Sequence, residues 1–129
     1  MSVGVVIVTH GTTGESLLEE AAFVLGGLPT DIFAVPFNQA GSMNTSLGLI
    51  NSAIERADSG DGVIVLTDLI GASPCNQVAD LLDEHHAVMV TGVNLSMLIC
   101  ACNYRSNTLE MVVRKVVQSG RRSVKIFQK

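Results

Sequence analysis

The stretch VGVVIVTHG at residues 3–11 decides the fold of this chain. From Val3 to Val8, every residue except one glycine is valine or isoleucine, and no polar residue alternates with them. Such an apolar run is typical of a central strand in a parallel sheet that helices cover on both faces. Because Gly11 allows a sharp turn, we expect His10 to lie in the turn between this strand and a helix.

The residues after His10 predict the start of that helix. Thr12 and Glu15 have the spacing of a capping box, in which both side chains bond to free backbone N–H groups. In an open α/β sheet this turn lies at the carboxyl edge, where ligands bind and where helix N-termini can hold an anion. From position alone, two roles remain open for His10: a functional one, and a structural one in which the ring bridges loop backbone.

The composition indicates one domain, residues 1–129, with enough chain to bury a core without disulfide or metal support. The net charge is −4 and the chain has 8 lysines and arginines, which argues against a nucleic-acid-binding surface. The basic residues of the C-terminal part of the chain predict a solvated face: Arg114, Lys115, Arg121, Arg122, Lys125 and Lys129.

Hydropathy and cysteine usage favour a cytoplasmic protein. Although 47% of the residues are hydrophobic, no apolar segment approaches the ~20 residues that a membrane span needs, and no basic leader precedes the first strand. We therefore expect no direct membrane insertion. Cys75, Cys100 and Cys102 are odd in number and lack zinc-type spacing, which favours reduced core thiols. We expect no metal site and no cofactor.

Apolar runs and helical patterns alternate along the rest of the chain. Further strands are predicted at about 31–35, 63–67 and 87–91, and Pro36 opens the exit loop of the first of these. A last helix, at about 108–118, is expected to stop at Ser119-Gly120, before an alternating tail at 123–127. This alternation predicts a doubly wound, mainly parallel α/β sheet with helices on both faces and a C-terminal edge strand, for which we take the strand order 2-1-3-4.

A second informative stretch, DLIGASP at residues 68–74, follows the third predicted strand. In a 2-1-3-4 sheet the first and third strands are neighbours, so His10 and Asp68 leave adjacent strand ends at the switch point. Asp68 can fix the tautomer of His10 and leave its other ring nitrogen nucleophilic. Ser73 before Pro74 is a helix-start signal, and its hydroxyl is a further donor for an anion. Together these residues indicate phosphoryl chemistry.

Three motifs in this order and spacing resemble the mannose-type IIA component (mannose/fructose/sorbose family) of the bacterial phosphoenolpyruvate:sugar phosphotransferase system. The motifs are THG at residues 9–11, TDxxGxSPxN at 67–76 and GVNLxML at 92–98. The resemblance covers essentially the whole chain. It is far more specific than the histidine alone, because three separate stretches agree.

The resemblance implies a cytoplasmic phosphocarrier that takes a phosphoryl group from the carrier protein HPr onto Nε2 of His10 and passes it to a histidine of a IIB component during sugar uptake. It implies that Asp68 orients the ring and that Ser73 contacts the phosphoryl oxygens in a loop with Gly71 and Ala72. Homodimers with a C-terminal edge strand are also implied.

Two positions depart from the family pattern, and other functions stay open. Ala72 stands where the family usually has glycine, and Ser96 where it usually has proline. Because the chain ends after the IIA-like part and carries no IIB or transporter segment, a phosphorylation-dependent regulatory module is an alternative. Others are a phosphotransferase subunit of a dihydroxyacetone kinase and an ordinary nucleotide-binding α/β enzyme.

Overall fold

The computed structural model describes residues 2–37, 43–68 and 72–128, without the side chains of residues 43 and 72–75. Within these ranges four strands and five helices follow one another in the predicted alternation. They are β1 (Gly4–His10), α1 (Thr13–Leu25), β2 (Ile32–Phe37), α2 (Met43–Ala57), β3 (Val63–Thr67), α3 (Ala72–Leu82), β4 (Ala87–Val90), α4 (Leu95–Tyr104) and α5 (Leu109–Arg122).

The four strands form a parallel sheet in the order β2-β1-β3-β4, which confirms the predicted order. β1 lies between β2 and β3, and Val8 is opposite Thr67 in the register. β1 is longer than its apolar run, because His10 is still paired with Phe37 of β2. His10 is therefore the last residue of a strand rather than the first of a turn, so the sheet itself fixes its backbone.

The core has two halves, one on each face of the sheet, as the absence of polar alternation in β1 predicts. Val5 and Ile7 pack in the half that α1, α4 and α5 cover. Val6 and Val8 pack in the half that α2 and α3 cover. Gly4 lets α2 approach β1 closely, since a Cβ atom at this position would lie 2.3 Å from the backbone oxygen of Ala57.

The predicted end of the second strand is wrong. β2 continues through Pro36 to Phe37, whereas the sequence placed Pro36 in the exit loop. Proline is tolerated because β2 is the first strand in the sheet order, and an edge strand has one side whose backbone groups need no ladder partner. The other predicted exit-loop residues, Asn38 and Gln39, lie outside the described residues.

The predicted stop of the last helix at Ser119-Gly120 is also wrong, because α5 continues to Arg122. Gly120 is buried, and a Cβ atom there would lie 2.7 Å from the sulfur of Met97 in α4. This glycine permits close packing of two helices. It does not end one of them.

The expected C-terminal edge strand is not formed. Residues 124–128 have no regular secondary structure, and the apolar side chains of Val124, Ile126 and Phe127 are 81%, 86% and 90% exposed. A strand needs a neighbouring edge to bond its backbone groups, and apolar alternation alone does not supply that edge. The backbone N–H of Ser123 instead bonds to the carbonyl oxygens of Ser119 and Gly120 and ends α5.

The basic residues of α5 and the tail form the expected solvated face over most of their length. Arg114, Arg121, Arg122 and Lys125 are exposed, while Lys115 is partly buried with its ammonium group 5.1 Å from the ring centre of Tyr104. A sixth basic residue of the predicted face, Lys129, lies outside the described part. No helix in the described ranges is long and apolar enough to cross a membrane.

Candidate functional site

The structure brings His10 and Asp68 into direct contact at the carboxyl edge of the sheet. The backbone N–H of His10 donates to Oδ2 of Asp68 at 2.9 Å. The ring nitrogen Nδ1 of His10 lies 3.0 Å from Oδ2 and 3.2 Å from Oδ1. These contacts follow from the sheet order, because β1 and β3 are adjacent and end at the same edge. The imidazole is 46% exposed and the carboxylate 22%.

This geometry sets the chemistry of the imidazole. An ionised carboxylate only accepts hydrogen bonds, so in the neutral ring Nδ1 carries the proton and Nε2 keeps its lone pair. Burial raises the pKa of Asp68. The hydrogen bonds from the backbone and ring of His10, and the electrostatic attraction between the two side chains, lower it and outweigh that effect. The pKa of Asp68 therefore lies below its ordinary value of 3.8. The carboxylate stays ionised at neutral pH and can orient the ring.

The first turn of α1 is capped differently from the prediction. Thr12 occupies the N-cap position but its side chain makes no capping hydrogen bond, so the predicted capping box with Glu15 is wrong. The hydroxyl oxygen of Thr9 accepts the N–H of Gly14 at 2.7 Å instead. Thr9 lies in β1 on the same face as Ile7, which α1 covers, and it is only 1% exposed.

Sequence reasoning missed this role of Thr9. The available signal was a hydroxyl residue at the end of an otherwise apolar strand, directly before the candidate histidine. Capping rules look for the acceptor immediately before the helix, and Thr9 lies well before Thr13, where the helix begins.

The second motif is described only in part. α3 begins at Ala72, which confirms the predicted helix start near Ser73, but Ser73 lies in the first turn and is not the N-cap residue. Pro74, the next residue, is compatible with that first turn. Gly71 and the side chains of Ala72 and Ser73 lie outside the described residues, and their contacts with a phosphoryl group stay a prediction.

The third motif joins the sheet edge to the last two helices. Asn94 caps α4, since its Oδ1 accepts the N–H of Met97 at 3.1 Å. The Nδ2 group of Asn94 donates to the hydroxyl of Ser123 at 3.2 Å, and the N–H of Val93 donates to the carbonyl of Thr67 at 2.8 Å. The motif thus fixes the loop after β4 beside the end of β3.

The remaining histidine and cysteine side chains that the structure describes show no sign of a second site. Within the described ranges no group of three or more histidine, cysteine or acidic residues is arranged to hold a metal ion. Cys100 and Cys102 are free and partly buried, and burial raises the pKa of both thiols. The side chain of Cys75 is outside the described part. His85 lies with Nε2 2.6 Å from Oδ1 of Asn51, which ties the end of α3 to α2.

Comparison with known proteins identifies the family. The family model described as the PTS system fructose IIA component, where PTS is the phosphotransferase system, matches residues 4–117. The chain belongs to this PTS IIA family. The THG motif at residues 9–11 and the DLIGASP stretch at 68–74 both lie within the matched residues, and the family is the one that the resemblance predicted.

Relatives agree with the PTS IIA assignment, and a solved structure shares the fold. The chain is 30% identical to the PTS system mannose-specific EIIAB component of Escherichia coli K12 over 131 residues, which are 99% of this chain and 40% of that protein. It is 26% identical to the PTS system fructose-specific EIIA component of Bacillus subtilis over 106 residues, 81% of this chain and 72% of that one. The fold is similar to the mannose/sorbose-specific IIA subunit from Enterococcus faecalis, with a TM-score of 0.86, 21% identity and coverage of 100% and 97%. The chain thus spans about two-fifths of the length of the E. coli relative.

Proposed function

We propose that this PTS IIA chain is a cytoplasmic phosphohistidine carrier in sugar uptake, with His10 as the acceptor. The phosphoryl group comes from the phosphohistidine of HPr and passes on to a histidine of a IIB component. The observation that carries the proposal is the hydrogen bond between Nδ1 of His10 and Asp68, which leaves Nε2 on an exposed ring.

The transfer balances without a cofactor. The lone pair on Nε2 of His10 attacks the phosphorus atom of the donor, a P–N bond forms on Nε2, and the P–N bond of the donor histidine breaks. The donor nitrogen keeps the electron pair. In the second step the same bond on His10 breaks when the IIB histidine attacks. Because Nδ1 keeps its proton against Asp68 throughout, no proton needs to leave the ring for either step.

The developing charge on the phosphoryl oxygens needs donors near Nε2. Helix N-termini supply N–H groups and a positive dipole end. α1 begins at Thr13, soon after His10, and α3 begins at Ala72, soon after Asp68. The loop with Gly71, Ala72 and Ser73 is the proposed phosphoryl-binding element. Positioning and charge stabilisation are most of what phosphoryl transfer requires.

The carrier is also proposed to be a homodimer. The tail at residues 124–128 exposes three large apolar side chains, and a cavity of about 550 Å³ lies beside it between β4 and α5. β4 is the last strand in the sheet order, and its Val88 is 39% exposed. A second copy that covers this face would bury apolar surface that the single chain leaves in water.

The test is a phosphotransfer assay with the whole chain. Incubation with phosphoenolpyruvate, enzyme I and HPr is expected to give a label that acid removes and base does not, and added IIB protein should then take it. His10→Ala is expected to take no label, whereas the exposed His86→Ala should label like the wild type. Label retained by His10→Ala would refute His10 as the acceptor. Label that does not pass to any IIB protein would refute the proposed second step.

A further inference from the structure

His10 lies between two hydrogen-bonded anchors. On one side, its backbone N–H and ring bond to Asp68. On the other side, the residue before it, Thr9, accepts the N–H of Gly14 in the first turn of α1. The short turn that carries Gly11, with a φ of +52°, is closed by these contacts at the strand end and at the helix start.

The Thr9–Gly14 contact is fitted on both partners. Thr9 is 1% exposed, so a water molecule has no room to replace the Gly14 N–H as the donor to its hydroxyl oxygen. A Cβ atom on Gly14 would lie 2.9 Å from the hydroxyl oxygen of Thr9 and 3.2 Å from a methyl group of Ile7. Only glycine therefore lets the helix come this close to the strand.

The consequence concerns the position of the helix N-terminus. The first N–H groups of a helix have no partner within the helix, and Thr12 does not cap them with its side chain. The bond from Gly14 to Thr9 therefore fixes the start of α1 against the end of β1. The spacing between this helix start and the imidazole is set by one residue, Thr9, that is covalently joined to His10.

We propose that Thr9 is a positioning residue for phosphoryl transfer. Its hydroxyl holds the first turn of α1 at the distance from His10 at which the turn stabilises the transferred group. The inference rests on the proposed function of His10 and goes beyond it, because it assigns a kinetic role to a buried side chain that does not touch the phosphoryl group.

The experiment compares two buried threonines at the carboxyl ends of neighbouring strands. Thr9→Val keeps the shape of the side chain and removes the acceptor of the Gly14 N–H. Thr67→Val is the matched control. Thr67 is 7% exposed, and its buried hydroxyl has no hydrogen-bond partner among the described residues. Thr9→Ser restores the hydroxyl without the methyl group.

Three quantities are measured for each variant: kcat and KM for phosphorylated HPr, and hydrogen exchange at the Gly14 amide. Thr9→Val is expected to lower kcat about tenfold or more with KM unchanged, since a small misplacement of a catalytic element has effects of this order. Its Gly14 amide should exchange faster. Thr67→Val and Thr9→Ser are expected to stay near the wild type in all three.

Each outcome decides the proposal. Thr9→Val with wild-type kcat, whatever its thermal stability, would show that the bond serves stability alone and would overturn the inference. If Thr9→Val does not fold, Gly14→Ala disturbs the same contact from the helix and is expected to lower kcat in the same way; a wild-type kcat would overturn the inference there too. A wild-type protein that takes no label at all would overturn the proposed function and this inference with it. If the wild type is labelled normally, the kcat of Thr9→Val tests the role of Thr9 alone.

Discussion

The carboxylate of Asp68 accepts hydrogen bonds from two different parts of His10, its backbone N–H and its ring nitrogen Nδ1. The side chain of the residue directly after β3 thereby contacts both the main chain and the imidazole at the end of β1. The bond to the backbone N–H adds to the pairing of His10 with Phe37 of β2, so the main chain of His10 is held from both sides. The two contacts therefore fix the imidazole through the backbone of His10 as well as through one ring nitrogen.

Asp68→Asn is expected to slow transfer onto His10 by about ten- to a hundredfold. The neutral amide oxygen of asparagine is a weaker acceptor than a carboxylate oxygen, and the amide NH2 group that replaces the other oxygen donates instead of accepting. Hydrogen bonds to charged groups contribute about 1.5–3 kcal/mol, and each ~1.4 kcal/mol is a factor of ten in rate. Single-turnover labelling by phosphorylated HPr measures the effect.

The matched control for that variant is Asp80→Asn on α3, which neutralises an exposed carboxylate away from the imidazole. It should label at the wild-type rate. Equal slowing in both variants would attribute the effect to net charge and contradict an orienting role of Asp68.

Acid should weaken the contribution of Asp68 to stability. Its pKa in the folded protein is below the ordinary value of 3.8, so between the two values the unfolded chain binds more protons. The contribution is therefore complete above the ordinary value and is lost as the pH falls through the folded-state pKa. Urea unfolding of wild type and Asp68→Asn from pH 7 down to pH 3 measures this. The difference in the free energy of unfolding should shrink on acidification, and a constant difference would contradict the pKa direction.

The four strands were predictable because they follow from local patterns that tertiary structure did not override. The apolar run before His10 and the run before Asp68 are both too short and too uniformly apolar for amphipathic helices, so they predicted central strands, which are neighbours in a doubly wound sheet of order 2-1-3-4. Their order then placed His10 and Asp68 side by side without any knowledge of side-chain geometry. The family motifs led to the same pair independently.

The errors occurred where a residue has two physical uses. Gly120 was interpreted as a helix stop, but its missing Cβ admits the sulfur of Met97. Pro36 was interpreted as a loop residue, but an edge strand tolerates it. Thr12 matched a capping pattern, but the buried hydroxyl of Thr9 took the N–H of Gly14. The first two choices depend on parts of the chain distant in sequence, and the third depends on a strand residue outside the usual capping position, so the local patterns did not contain them.

Gly4 and Gly48 should respond to alanine in opposite directions. A Cβ atom at Gly4 would lie 2.3 Å from the backbone oxygen of Ala57, so Gly4→Ala must push α2 away from β1, at a cost of about 1–3 kcal/mol or more. Gly48 is an exposed residue within α2, and a Cβ atom there meets no atom within 4 Å. Gly48→Ala should stabilise by about 1 kcal/mol through helix propensity. Urea unfolding of both variants decides, and equal effects would contradict the close packing at Gly4.

The proposed homodimer predicts that apolar residues of the tail matter for association and that equally exposed ones elsewhere do not. Ile126 in the tail and Phe23 on α1 are both 86% exposed, so lysine in place of either adds a similar charge in a similar setting. Ile126→Lys is expected to raise the dimer dissociation constant at least about tenfold, because burying an isoleucine side chain contributes about 1.5–3 kcal/mol. Phe23→Lys should leave it unchanged. Sedimentation equilibrium over a concentration series measures both, and a wild-type protein that stays monomeric throughout, or dissociation caused by Phe23→Lys alone, would rule out the tail as the contact between two copies.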